Sequence, residues 1–397
     1  MLIELDELGP AVEVRLTDVE GRRLAASGVV EAVPSRYDPG VWLIRAAGKV
    51  GVAQVGGTEV WVRPKVPIDR LLFLLGYASN PTGWRDETVD LTGGENLLPA
   101  LAHALWRQAN RALRQGLLQG YQVREEALPV LRGRLREGEQ LRRHHGAAIP
   151  VEVRYDEFTS DIAENQLLRA ATQQMLRVPR VDQECRRRLR HLLIRLGDVT
   201  PLVRGQPLPQ WYPTRLNTRY HTALRLAEVI LRGTSVEHAA GATAVNGFML
   251  DMPRLFEDFV TVAIAEALQR HGGRARRQDP HYLDQDSKVR MRPDLVWHRD
   301  NVPAAVIDAK YKSEKPAGFP QADLYQMLAY CTALDLTHGH LIYARGNEQP
   351  ARHTIRSTGV QIICHALDLG QHPSVLLAQA TRVADIICAT ACVLPRP

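Results

Sequence analysis

The stretch KVRMRPDLVWHRDNVPAAVIDAKYK, residues 288–312, decides how this chain is read. Two strand-like runs, Val289–Trp297 and Ala304–Tyr311, flank the turn-forming triplet Arg299-Asp300-Asn301, the pattern of a β-hairpin. The second run is apolar until it reaches Asp308 and Lys310. A carboxylate inside such a strand is costly unless it is paired or metal-bound. Period-2 alternation puts Asp308 and Lys310 on one face, and antiparallel pairing brings Asp294, next to Pro293 on the preceding run, beside Asp308. Two carboxylates so close repel unless a cation lies between them, so Mg²⁺ is the expected occupant, with Mn²⁺ as an alternative of overlapping oxygen-ligand preference.

Working outward, MPRLFEDFVTVAIAEALQRHG, residues 252–272, reads as a helix with the apolar stripe Leu255, Phe256, Phe259, Val262, Ala263, Ala267 and Leu268, stopped at Gly272-Gly273. Glu257 sits near its first turn, where it suits either the helix dipole or a metal. On the other side QADLYQMLAYCTAL, residues 321–334, is helical, and Gln326 and Tyr330 at i, i+4 are able to reach down to the metal site; Tyr330 is equally suited to packing. HGHLIYAR then supplies a further strand.

The composition fits an ordinary globular protein: 397 residues, 45% hydrophobic, 24% charged, net charge +6. That length allows roughly two or three domains. The beginning, MLIELDELGPAVEVRL, lacks the apolar core of a signal peptide, and no run of 18 or more apolar residues occurs, so a cytoplasmic protein without a membrane span is expected. Five scattered cysteines without a CxxC pair exclude a zinc ribbon and a disulfide framework; Cys388 and Cys392 read as buried thiols. Neither a P-loop nor a strand-bound G-x-G-x-x-G is present. Nine arginines between Arg107 and His145, and seven between Arg177 and Arg195, are candidate phosphate-facing surfaces or simply solvated helix faces.

The expected fold class is α+β multidomain: a β-rich module over residues 1–90, a mainly helical middle region over 91–245, and an α/β domain with a central mixed sheet over 246–397. The order of helix, acid-bearing hairpin, D-x-K strand, helix with Q-x-x-x-Y and strand resembles the PD-(D/E)xK nuclease core. That resemblance implies Asp294 and Asp308 as metal ligands, Glu257 as the leading-helix acid that joins them, and Lys310 as the lysine that positions water or stabilises charge. Gln326 and Tyr330 match the Q-x-x-x-Y element. One or two Mg²⁺ ions and a lysine supply what phosphodiester hydrolysis needs.

A wider resemblance rests on GVWLIRAAGKVGVAQVGGTEVWVRPKVPIDRLLFLLGYA, on Arg63-Pro64-Lys65, on Arg132-Gly133-Arg134, and on Asp156-Glu157-Phe158-Thr159 followed by Asp161 and Asn165. With these the chain is similar to the McrC family, nuclease subunits of McrBC-type modification-dependent restriction systems. The resemblance implies a Mg²⁺-dependent endonuclease of a restriction and antiviral defence complex. It would dock on, and stimulate, an AAA+ GTPase of McrB type and cut modified double-stranded DNA. The segment between about Arg15 and Val66 is the expected docking part, and Asp161 reads as the cap of a helix beginning at Ile162. Two alternatives stand beside this: a nuclease-inactive interaction module that activates an AAA+ partner, and a helicase-associated DNA repair nuclease.

Overall fold

Strands form where the amino-terminal segment alternates in polarity. The computed structural model describes residues 1–79, 81, 97–145, 147–178, 181–203, 206–233, 245–311, 321–344 and 351–391; Cys392, Lys312, Lys315 and the Gly93-Gly94 break lie outside them. β1 (Leu2–Asp6), β2 (Val12–Arg15), α1 (Asp18–Ala26), β3 (Val30–Pro34), β4 (Val41–Ala46), β5 (Lys49–Val55), β6 (Thr58–Arg63) and α2 (Ile68–Ser79) follow in order. Thr17 starts α1 with a reciprocal capping box to Glu20. β2, β4 and β3 form one antiparallel sheet.

The second sheet does not close within this segment. β1 pairs with β6 and β6 with β5, but the far edge of β5 is taken by β10 (Val245–Asp251), almost 200 residues later in the sequence. Gly51 makes that approach possible: it pairs with Met249 at φ +131°, and a Cβ there would lie 2.1 Å from the Phe248 carbonyl oxygen. Phe73 and Tyr77 of α2 meet Phe259 of α8 (Met252–Leu268) edge-on, at ring separations of 6.0 and 5.6 Å. Residues 1–97 therefore share one compact unit with residues 233–397, and the module expected over 1–90 is not separate from the domain expected over 246–397. An unpaired β5 edge and a bare α2 face would otherwise meet water.

The other unit spans residues 98–232. Helices α3 (Leu97–Ala112), α5 (Ala163–Arg177), α6 (Gln183–Arg195) and α7 (His221–Gly233) accompany a sheet of β7 (Gly120–Leu128), β8 (Arg134–Leu135) and β9 (Val151–Thr159), with the short α4 (Glu137–His144) between the last two strands. This region is thus more mixed than the helical expectation. Several of its arginines are held internally: Arg186 donates to the carbonyls of Leu176, Val178 and Val181, and Arg169 to those of Leu196, Gly197 and Val199. Asp161 does not cap α5, whose N-cap is Ile162; its carboxylate instead accepts from the Thr200 amide and hydroxyl and from Gln166.

The last third builds a six-stranded mixed sheet in the order β11 (Arg274–Arg277), β14 (Leu295–Arg299), β15 (Val302–Lys310), β16 (His338–Ala344), β18 (Gln361–Leu367), β17 (Ala351–Thr354). β12 (His281–Tyr282) and β13 (Arg290–Met291) form a small ladder inside the β11–β14 connection. β14 and β15 are the expected hairpin, turned at Asp300 and Asn301 with φ of 50° and 63°, the left-handed pair a two-residue turn requires. β15, β16 and β18 run parallel, so both of their faces need cover. α9 (Gln321–Ala333) covers one face through Met327, Tyr330 and Cys331 against Val306, Leu341 and Cys364. Gly339 leaves room for it, since a Cβ there would lie 2.5 Å from the Met327 sulfur. α10 (Pro373–Ala391) packs against α8 on the other side. It is long and apolar enough to cross a membrane, but Leu376, Ala380, Val383, Ala384 and Ile387 are buried within the fold. Cys185, Cys331 and Cys364 are buried, while Cys388 is only half-buried.

Candidate active site

Asp294 lies one residue before β14, and the pairing of Leu295 with Ile307 brings it against the end of β15. Its Oδ2 accepts from the Ala309 amide at 2.8 Å, between the two charged residues of the D-x-K strand. Asp308 and Lys310 share a face as alternation predicts, with Nζ 2.5 Å from Oδ2 of Asp308. Both acids are buried, Asp308 at 2% and Asp294 at 8% exposure.

The other predicted residues converge here. Glu257 sits in the second turn of α8, half-buried, and points to the acids rather than capping the helix; the amide of Gln278 bridges it to Asp294, donating to Glu257 and, at 3.2 Å, to Asp294 Oδ1. Lys310 Nζ donates to Gln326 Oε1 at 2.9 Å, and Gln326 in turn donates to the Tyr330 hydroxyl at 2.7 Å. Tyr330 therefore both packs, at 5% exposure, and fixes the amide that holds the lysine. Asp323, one turn before Gln326, is buried and accepts from the Tyr343 hydroxyl at 3.1 Å.

The electrostatics are those of excess negative charge in a largely buried site. Burial, with the Glu257 charge added, pushes Asp294 up to about 6. Burial and the charge of Asp294 push Asp308 up to about 6 as well, against the pull of Lys310. Glu257 is raised by burial and by Asp258 and Asp308. Burial pulls Lys310 down, but Asp308, Asp294 and Asp323 outweigh it, and the amine stays charged with a raised pKa. Among the described residues, the buried Oδ2 of Asp308 has no partner other than Lys310. Three carboxylates that resist ionisation together are a donor set suited to a hard divalent cation.

Gln278 was not legible in the sequence. It holds a left-handed backbone, φ 51°, just after edge strand β11, and its own amide donates to the Asp294 carbonyl at 3.0 Å. No periodicity marks such a residue; the only trace is its distance from the helix that ends at Gly272. Among the described residues, the cluster that brings three ligand atoms within 4.8 Å of one another is a different one, His103, Asp182 and Cys185 in the other unit. There Asp182 is explained as the cap of α6, accepting from the Cys185 amide at 2.8 Å and facing His103 Nε2 at 2.6 Å.

The family described as McrBC 5-methylcytosine restriction system component has a model that matches residues 44–344. Among solved structures, a chain of the refined half-complex from the tetradecameric assembly of Thermococcus gammatolerans McrB AAA+ hexamers with bound McrC is similar at a TM-score of 0.59 and 19% identity, covering 98% of this chain and 100% of that one. A chain of the Thermococcus gammatolerans McrBC complex is matched at a TM-score of 0.38 and 19% identity, over 68% of this chain and 88% of that one. No curated protein matches the chain.

Proposed function

Because the chain belongs to the family of McrBC 5-methylcytosine restriction system components, we propose that it is the metal-dependent DNA endonuclease subunit of such a system, of McrC type and with a PD-(D/E)xK site. The observation that carries the reading is the convergence of Asp294, Asp308 and Lys310 at one buried sheet end, with Glu257 bridged to Asp294. Asp294, Asp308 and Glu257 would hold Mg²⁺, which when bound supplies Lewis-acid activation of water and stabilisation of the leaving oxygen. Lys310, kept charged by Asp308, presents an ammonium for the negative charge that develops on the phosphate during attack. Gln326, braced by Tyr330, fixes the direction of that amine.

The full-length likeness to a chain of the McrB–McrC assembly supports an AAA+ GTPase of McrB type as partner and modified double-stranded DNA as substrate. The test combines purified chain, partner, Mg²⁺ and GTP with duplexes carrying or lacking 5-methylcytosine. Cleavage of the methylated duplex that needs both GTP and the partner, and that Asp308→Asn abolishes, is the expected result. GTP hydrolysis without cutting would leave only an activating module, and cutting by the chain alone without nucleotide would point to a repair nuclease.

A further inference from the structure

Arg63-Pro64-Lys65 contributes no side chain to the cluster of acids, yet it leads there. Glu7, at the end of β1, is 3% exposed, and its amide donates to the Arg63 carbonyl at 3.0 Å. One carboxylate oxygen accepts from the Lys65 amide at 2.9 Å; the other accepts from the Tyr311 hydroxyl at 2.5 Å. Arg63 closes the same corner through Glu4 at 2.6 Å. Burying a carboxylate is costly, and an apolar residue of this size would fill the space at less cost. Two converging donors are what the acid adds.

Tyr311 is the residue immediately after Lys310, just past the last rung at which β15 pairs with β16. Beyond that rung the hydroxyl of Tyr311 fixes the strand end. Its ring also lies 5.8 Å from that of Phe256, which is 1% exposed and directly precedes Glu257. One residue thus directly follows the proposed lysine and touches the neighbour of the proposed helix acid. Both carry groups whose placement decides reactivity, where an error of about 1 Å costs on the order of 10²-fold.

Resting on the assignment of this site as a metal-dependent nuclease centre, we propose that Glu7 and Tyr311 are positioning residues of the cleavage site, and that the β1–β6–β5–β10 sheet, through Lys65 and Glu7, sets where Lys310 and Glu257 stand. The substrate does not touch this pair; it acts through the residues it holds.

The full-length protein is assayed with partner, GTP, Mg²⁺ and methylated duplex, alongside Mn²⁺ binding by the chain alone and thermal melting. Tyr311→Phe removes one hydroxyl and keeps the ring against Phe256. It is expected to melt within a few degrees of wild type and to bind Mn²⁺ normally, yet to lower the maximal cleavage rate about tenfold, the scale of an outer-shell partner. Glu7→Ala is expected to lose as much, and the double variant no more than the worse single, because the acid acts through the phenol. Wild-type cleavage by Tyr311→Phe, or losses that multiply in the double variant, would overturn the proposal; if Glu7→Ala does not fold, Tyr311→Phe decides alone. Asp308→Asn run in parallel separates the two readings: if it still cuts, the site assignment itself has failed, whereas a dead Asp308→Asn beside a fully active Tyr311→Phe sinks only the positioning role.

Discussion

Asp308 and His340 lie on adjacent strands of one sheet, a single residue apart in register, and they accommodate burial in opposite ways. On the face toward α10, His340 stacks on His365 with Nδ1 3.1 Å from Nε2, and its own Nε2 faces the Thr390 hydroxyl at 3.2 Å. Imidazole is donor and acceptor at once, so the pair satisfies itself in the neutral form; burial holds His365 down to about 4 and His340 well below its ordinary value. On the face toward α9, the carboxylates only accept, and the donors around them are too few. The lesson is that a buried polar cluster which closes on itself is architecture, while one left short of positive charge is a place for something to bind.

Removing an acid should break the contrast most severely. Asp308→Asn is expected to reduce cleavage by about 10³-fold or more, on the scale of losing a preorganised electrostatic element. At pH 7 it should nevertheless raise the stability of the metal-free protein by about 3 kcal/mol, since a neutral amide is spared the ionisation that burial resists. Cleavage rates and denaturant melts in chelator check both signs. Lys310→Ala is expected to cost about 10²-fold in cleavage and, unlike Asp308→Asn, to destabilise the apo protein by leaving Asp308 uncompensated.

Acidity sharpens the comparison, because the two faces respond with opposite sign. Asp294 and Asp308, with folded values of about 6, favour the folded state below the ordinary aspartate value and lose that contribution as pH rises through 6. His365 is neutral in the fold down to about 4, so its contribution is complete above 6.5 and is lost as pH falls toward 4, to the extent of about 3 kcal/mol. The two effects oppose each other in the wild type. Metal-free melts between pH 4 and 7 should therefore show Asp308→Asn losing stability on acidification more steeply than wild type, and His365→Leu losing less.

Smaller effects remain. Gln326→Ala frees the lysine amine and is expected to cost about tenfold in cleavage with little change in melting. His365→Leu leaves one imidazole nitrogen of His340 without its partner and should cost about 1–3 kcal/mol of stability, with no change in cleavage per folded molecule. A loss of cleavage there would erase the distinction between the two faces.

The hairpin and its charges were legible because a polar residue in an apolar run is conspicuous, and because Asp300-Asn301 leaves few options for the turn. Gln326 and Tyr330 were legible from i, i+4 spacing. Gln278, Glu7 and Tyr311 were not: each acts across long sequence separation, from a turn or a strand end where no period exists. The pairing of β10 was not legible for a related reason, since its partner β5 lies almost 200 residues earlier in the sequence. Asp161 shows the limit of local signals, a cap-like residue drawn off by Thr200 some 39 positions away.

That late partner has a consequence for the order of synthesis. A ribosome releases residues 98–232, which are contiguous, before the strand that completes the β1–β6–β5–β10 sheet has been made. The inserted segment can thus mature while β5 waits with one bare flank, the situation that invites pairing with a foreign chain. Fragments ending before residue 245 inherit that bare flank permanently, so the shortest truncated chain able to keep this four-stranded sheet whole must reach past Asp251 or receive β10 as a separate peptide.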